Sequence, residues 1–371
     1  MARLPVGVRK RKDGTLEKRF TIDGKRYSVY GANTKELTDK ESDLRDMIRN
    51  KIYLANKNIT LDKYFEEWLK RKENTVKGNS IYTYKKIYNW FIKSELGDKK
   101  VTKIEKREIF AFHENLQKKT TPSTSNYVIK LLKTILNGAV DDDIIVKNPS
   151  STIKPIKVEK KATKTIHRAL TIQEQDLFMS ELKKQESYYY NLISFLLLTG
   201  LRFGEAVVLT WSDIDLKNNL IHIDKTLSFD MNGKRIIGDS PKSESGERDI
   251  PINNNIRQVL NRARGVSNIL PYPTNLVFPS ITGKIIYNNV LNNEIKRIIK
   301  VLSDQGKEID IFTVHAFRDT FATRYIEQGG SPQTLKNILG HSSYQMTMDL
   351  YSHVLPNTKA EEMSKIQINI G

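Results

Sequence analysis

Apolar positions change their period along the chain, and each change predicts a different kind of unit. The first runs are short and extended, Gly7–Lys10, Glu17–Ile22 and Lys25–Tyr30, separated by Asp13-Gly14 and Asp23-Gly24. Asp-Gly tolerates positive φ at both central turn positions, so two hairpins in series and a three-stranded antiparallel sheet are expected. Thr34 then reads as the N-cap of a helix running to about Lys51, with Leu37, Leu44 and Ile48 on one side. From 59 to 150 the period is helical. Thr60 caps a helix bearing Leu61, Tyr64, Phe65, Trp68 and Leu69, and Ser80 opens a second with Ile81, Tyr84, Tyr88 and Phe91. A third covers Lys106–Lys118, a fourth follows Pro122–Ser125, and Asn148-Pro149 ends the unit. Aromatics at this spacing read as core, not as platforms for bases. Residues 151–164 hold five Lys and one Glu around Pro155 with no hydrophobic period, which predicts an extended basic linker.

Beyond Ala169 lies the largest unit. Thr171 starts a helix, and Tyr188–Thr199 is nearly all apolar and predicts a buried one. Asn219–Asp224 and Arg235–Pro251 are strand-like, and helices return at Tyr287–Ser303, Ala316–Gln328, Ser331–Leu339 and Gln345–Tyr351. The expected fold is a multidomain α+β protein. Residues 1–56 form a three-stranded sheet with a helix and 57–150 an all-helical domain. A basic linker covers 151–166, and 167–371 form a mostly α domain with a small β-sheet and hairpin.

Composition narrows the function. The 371 residues carry a formal charge of +18, which points to a polyanion partner. Residues 1–35 hold ten Lys and Arg against three acids, and a β-ribbon fits the major groove of DNA, so the small sheet reads as a DNA-binding module. The chain has no cysteine, which excludes disulfides, thiol catalysis and thiolate zinc sites. The apolar stretch Ile193–Leu201 is too short to span a bilayer, and Met-Ala-Arg-Leu-Pro carries no apolar signal region, so an intracellular, cytoplasmic protein is expected. No phosphate-binding Gly-x-x-x-x-Gly-Lys motif and no His-Glu-x-x-His occurs, so neither a cofactor nor a metal is expected.

The chemistry lies in scattered residues. Arg202 follows the buried helix in Thr-Gly-Leu-Arg-Phe-Gly-Glu-Ala, with Gly200 as the helix C-cap. His315 and Arg318 stand three apart in His-Ala-Phe-Arg-Asp-Thr-Phe-Ala-Thr, on one face of a helix start. His341 lies in Leu-Gly-His-Ser-Ser, and Tyr351 opens Tyr-Ser-His-Val ten residues later. Each alone is a weak signal. Their order, spacing and surrounding words together resemble the tyrosine recombinase family, the lambda-type integrases of phages and integrative elements. The resembling motifs cover about 165–355, and the N-terminal layout is similar to the family's arm-type DNA-binding domain followed by a core-binding domain. The family also places a lysine on a β-hairpin. Ser240–Pro251, ending in Ile250-Pro251, resembles that hairpin, which makes Lys242 the candidate, with Lys234 eight residues earlier as the alternative. Asp319 departs from the pattern, since a His is frequent there, and Glu205 matches an acidic position that orients an active-site side chain.

The resemblance implies that Arg202 and Arg318, with His341, hold a phosphodiester while its non-bridging oxygens gain charge, a task suited to planar guanidinium forks. It implies Tyr351 as nucleophile, His315 as base and Lys242 as general acid toward a deoxyribose 5′ oxygen. Four protomers would act on two duplexes through a Holliday junction, integrating and excising a mobile element. The implied partners are double-stranded DNA at core-type and arm-type sites, an excisionase and a host DNA-bending protein, with no membrane. By the same resemblance the tail from Lys359 to Gly371 docks on a neighbouring protomer. A DNA-relaxing topoisomerase and a regulator with a decayed site are the competing readings.

Overall fold

The computed structural model describes residues 5, 7–11, 13–22, 25–49, 59–157, 168–239 and 246–348, divided between two units, Met1–Glu159 and Lys160–Gly371.

In the first unit the hairpin signals give β1 (Val8–Lys10), β2 (Leu16–Ile22) and β3 (Lys25–Gly31), antiparallel in that order. The register sets Arg9 opposite Glu17 and Glu17 opposite Tyr30. Alternation then sends Leu16 and Val29 to the face covered by α1 (Thr34–Arg49), where they meet buried Leu37. Asn33, not Thr34, caps α1: its side-chain oxygen accepts from the Glu36 N–H at 2.9 Å, and Thr34 has moved into the first turn.

The helical part comprises α2 (Leu61–Lys72), α3 (Gly78–Ile87), α4 (Lys93–Leu96), α5 (Lys106–Lys119) and α6 (Pro122–Asp141). Thr60 caps α2 as expected, but α3 starts at Gly78, so Ser80 is already inside the first turn. Tyr88–Ile92 form a π-helical turn that carries both terminal side chains into the core while Trp90 faces solvent. The buried phenols find acceptors: Tyr64 donates to Asp142 and Tyr88 to Asp62, each at 2.6 Å. The first part of the expected linker is packed. Ile153 is buried, and Asn126 exchanges two hydrogen bonds with the Ile156 backbone at 3.0 and 2.8 Å. Residues 158–167, with Lys160, Lys161 and Lys164, lie outside the described residues.

The second unit is built from α7 (Ile172–Lys184), α8 (Tyr190–Thr199), α9 (Phe203–Ala206), β4 (Ile214–Asp215), β5 (Leu220–Ile223), β6 (Lys225–Phe229), β7 (Arg235–Asp239), β8 (Arg248–Pro251), α10 (Asn254–Ile269), α11 (Asn288–Asp304), α12 (His315–Glu327) and α13 (Pro332–Leu339). Apolar α8 is central and packs against α10 and α12. Helix α10 is absent from the sequence expectations. Its polar Asn-Asn start hides a sound cap, Asn253 to the Ile256 N–H at 3.0 Å, and Ile256, Val259, Leu260 and Ala263 are buried. Of the Ser240–Pro251 segment, residues 246–251 are described. β8 pairs with β5, where Ile221 and Ile250 sit opposite one another in the core, and β7 pairs with β6. β6 and β7 form a hairpin with Lys234 at its turn, and Lys242 lies outside the described residues. No described helix is long and apolar enough to cross a membrane.

Candidate active site

Helix ends create the site. α8 and α13 both stop at a glycine in the left-handed region, Gly200 and Gly340, each with φ of 63°. Such caps turn the chain sharply and leave carbonyls at the negative pole of each helix without intrahelical donors. Two guanidinium groups fill these positions. Arg318, on the first turn of α12, donates to Gly200 O at 2.9 Å and to Leu339 O at 2.7 Å. Arg202, just before α9, donates to Gly340 O at 3.0 Å. The two helix ends thus set the orientation of both cations. A side chain at Gly200 is blocked from the other side, because a Cβ there would lie 2.3 Å from the Phe321 ring.

Beneath the cations lies Glu205, 1% exposed. It accepts from Arg202 at 2.9 Å and from Arg248 at 2.8 Å, and its second link to Arg202 runs from the backbone N–H at 3.0 Å. Burial pushes the Glu205 carboxyl up, but the hydrogen bond and charge of Arg248 and the charge of Arg202 outweigh it and hold the group below the usual carboxylate range. Arg248, on β8, also donates to Ile338 O at 2.6 Å and Gly246 O at 3.1 Å. It ties β8 to the end of α13 and to Glu205, and sequence reasoning missed it. The signal available was its place two residues before buried Ile250 on a strand, which puts both side chains on one face.

His341 follows Gly340 and is nearly buried, with Nδ1 2.9 Å from Thr347 Oγ1. Burial and the charges of Arg318, Arg202 and Arg248 push its imidazole down to about 4, so it is neutral at physiological pH. Burial, with Arg202 close by, pushes the Arg318 guanidinium down to about 9, so it stays charged. His315 is half exposed at the start of α12, with Nε2 3.6 Å from Asp319. Arg202, His315, Arg318, Asp319, Leu339 and His341 line one cavity of about 260 Å³. The structure therefore brings together four of the six sequence candidates. Lys242 and Tyr351 lie outside the described residues, as does the C-terminal tail, while 344–348 are helical as expected. The described residues include no group of three or more His, Asp or Glu arranged to hold a metal ion.

A pattern described as the phage integrase family matches residues 168–358, more than half of the chain. The chain belongs to the phage integrase family. A second pattern, the N-terminal SAM-like domain of phage integrases, matches 60–117. This phage integrase family member is 26% identical over 360 residues to the XerC-like tyrosine recombinase of Caldanaerobacter subterraneus subsp. tengcongensis, covering 92% of this chain and 91% of that one. It is 26% identical over 347 residues to the transposase from transposon Tn916 of Enterococcus faecalis, covering 89% and 83%. Among solved structures it superposes on the Tn1549 transposon integrase in complex with transposon right end DNA with a TM-score of 0.72 at 25% identity, over 83% of this chain and 99% of that one. It shares its fold with a lambda integrase dimer bound to a core site, with a TM-score of 0.63 at 17% identity over 100% and 99% of the two chains.

Proposed function

We propose that this chain is a tyrosine-type site-specific DNA recombinase that integrates and excises a mobile element. The observation that carries the proposal is the convergence of Arg202, Arg318 and a neutral His341 on one cavity, with His315 at its edge. Two fixed guanidinium groups are positioned for the non-bridging oxygens of a phosphodiester, and a neutral imidazole donates a further hydrogen bond without adding charge to a site already cationic.

In this reading Tyr351 Oη attacks phosphorus and gives up its proton to His315. A phenol of pKa about 10 needs that help at neutral pH, and the nearby arginines favour the phenolate. The P–O bond to the deoxyribose 5′ oxygen breaks, and Lys242 protonates that oxygen. The products are a 3′-phosphotyrosine and a 5′ hydroxyl. A 5′ hydroxyl of a second duplex then attacks the phosphotyrosine in reverse, so the ester energy is kept. Four protomers carry out the two strand exchanges through a Holliday junction. The β1–β3 sheet module binds arm-type sites and the helical part binds the core site, across the domain limits 1–56, 57–150, 151–166 and 167–371. An excisionase and a host DNA-bending protein set direction and architecture, and the protein works in the bacterial cytoplasm on the nucleoid. The DNA partner is supported by the chain's +18 charge and by the DNA-bound state of the Tn1549 relative.

A suicide substrate tests the proposal. The protein is incubated with nicked attachment-region DNA in EDTA without ATP, and adducts are separated in SDS and mapped by mass spectrometry. A nucleotide on the Tyr351 peptide is expected, with Tyr351→Phe binding the same DNA and giving no adduct. An adduct persisting in Tyr351→Phe removes the nucleophile assignment, and cleavage that needs a divalent metal removes the mechanism.

A further inference from the structure

The sheet module carries a feature that DNA affinity alone does not require. Its outer face, opposite α1, holds Arg9, Arg19 and Tyr30, with Arg11 at the rim. At the centre of this basic face is a carboxylate. Glu17 on β2 is 1% exposed although nothing larger than side chains covers it. The cover is guanidinium. Arg9 donates to Glu17 Oε2 from Nε at 2.9 Å, with a terminal nitrogen paired to the same oxygen at 2.8 Å, and Arg19 donates from Nε to Oε1 at 2.6 Å. Arg11 stands 3.7 Å from Oε2 and lies over the Tyr30 ring at 5.1 Å. The arginine bonds and charges outweigh the cost of covering the carboxyl and hold it below the usual carboxylate range. The three arginine side chains remain half exposed, at 57%, 49% and 60% for Arg9, Arg11 and Arg19.

A module built only for phosphate affinity gains nothing from placing a negative charge under its cations, since that charge weakens every phosphate contact. What the carboxylate does provide is direction. A free arginine explores many rotamers, whereas one bonded through Nε is held with its remaining donors displaced to one side, and a guanidinium has five donors in a rigid fork. Three strands spaced about 4.8 Å apart are about 10 Å across, which fits a major groove about 12 Å wide. Base reading there needs a preset fork, because an arginine must meet guanine O6 and N7 together.

We propose that Glu17 is a positioning residue for sequence specificity: it holds Arg9 and Arg19 as readers of guanine edges in the major groove of a duplex, and without it the same face binds phosphate without preference. This rests on the reading of the sheet as an arm-site DNA module, and the test separates the two. A duplex is selected from a randomised pool by the full chain, and its affinity is compared with that of a scrambled duplex at several salt concentrations. Glu17→Gln is expected to keep or raise affinity for the scrambled duplex, steepen the salt dependence, and lower the selected-to-scrambled ratio about tenfold or more, as expected for misplacing bidentate contacts. If the ratio in Glu17→Gln stays at the wild-type value while the combined Arg9→Gln, Arg11→Gln, Arg19→Gln variant loses it, the positioning role is wrong and the DNA module stands. If the triple variant leaves both affinities unchanged, the module reading itself is wrong. Should Glu17→Gln unfold the sheet, seen as lost amide protection across β2, Glu17→Asp is scored instead. It keeps the charge but shortens the reach, and a lowered ratio supports the role while an unchanged ratio overturns it.

Discussion

Arg248→Met tests how Arg202 and Arg318 are supported in the candidate site. The change keeps most of the side-chain volume and removes the guanidinium that bonds Glu205 at 2.8 Å and the Ile338 carbonyl at 2.6 Å. Glu205 is then buried with Arg202 as its remaining partner, through the side-chain contact at 2.9 Å. Breaking a buried pair by removing one partner costs about 3–5 kcal/mol, and the retained Arg202 places this case near the lower limit, at about 3 kcal/mol. The cost comes mainly from the carboxylate left behind, so Glu205→Gln should relieve part of it. Glu205→Gln alone is destabilising, because Arg202, Arg248 and Arg318 lose the anion among them. The double variant should therefore be more stable than the two single losses added, with a coupling of about 1.5 kcal/mol or more. Amide hydrogen exchange along α8, which packs against α9 and α12, reads the opening free energy of this unit. The pH dependence gives a second check. In the wild type the depressed Glu205 pKa contributes stability that is present above its unfolded value near 4.5 and lost as pH falls through the lower folded value. With Arg248 gone, burial acts against one fewer cation, the folded pKa rises, and that acid-side loss shrinks. Additive single-variant costs, or an unchanged acid-side slope, would refute the view that Arg248 supports Arg202 through Glu205.

Gly200→Ala places a Cβ at φ of 63° and 2.3 Å from the Phe321 ring, so strain and overpacking together should cost about 3 kcal/mol and slow DNA cleavage, and a loss under about 1 kcal/mol in the same exchange measurement would refute the tight-cap account. Burial and the neighbouring arginines hold the folded His341 imidazole down at about 4, against the ordinary value of about 6.5, so the unfolded chain binds its proton first and stability falls as pH drops from 6.5 to 4, by about 3 kcal/mol in total; His341→Asn should flatten that window. A phosphate bound between Arg202 and Arg318 cancels part of the charge that depresses His341, so imidazole NMR should show its pKa rising when DNA binds. Deleting residues 1–56 should lower the salt slope of DNA binding and abolish recombination on a complete attachment site while leaving cleavage at the core site, and full integration by the deletion variant would remove the arm-site role.

The sequence was legible where a residue type is forced by local geometry, and silent where it is chosen by a distant partner. Gly200 announces its helix end because a left-handed cap excludes most other residues, and the structure puts it at φ of 63°. Thr60 and Thr171 announce helix starts because their oxygens accept from the first turn, at Lys63 and Glu174. Thr34 and Ser80 carry the same chemistry and mislead, because a neighbour took the cap in one case and the helix began earlier in the other. Helix α10 escaped notice because its apolar positions are separated by Arg, Gln and Asn, and only the packing of Ile256, Val259 and Leu260 reveals the face. The site divides in the same way. Arg202, His315, Arg318 and His341 are recognisable because their spacing repeats a known pattern, while what fixes them is spread over carbonyls 118 residues from Arg318 and 138 from Arg202. A carbonyl leaves no mark in a sequence. Arg248 and Glu17 do leave a mark, each as a charged residue on a strand, but their effect depends on what the fold lays over them. At both places a buried carboxylate is bonded to arginines, and a cation that is oriented before its ligand arrives loses less conformational freedom on binding. That shared cause links the candidate site to the sheet module: in each, the carboxylate that the arginines stabilise also holds those arginines still.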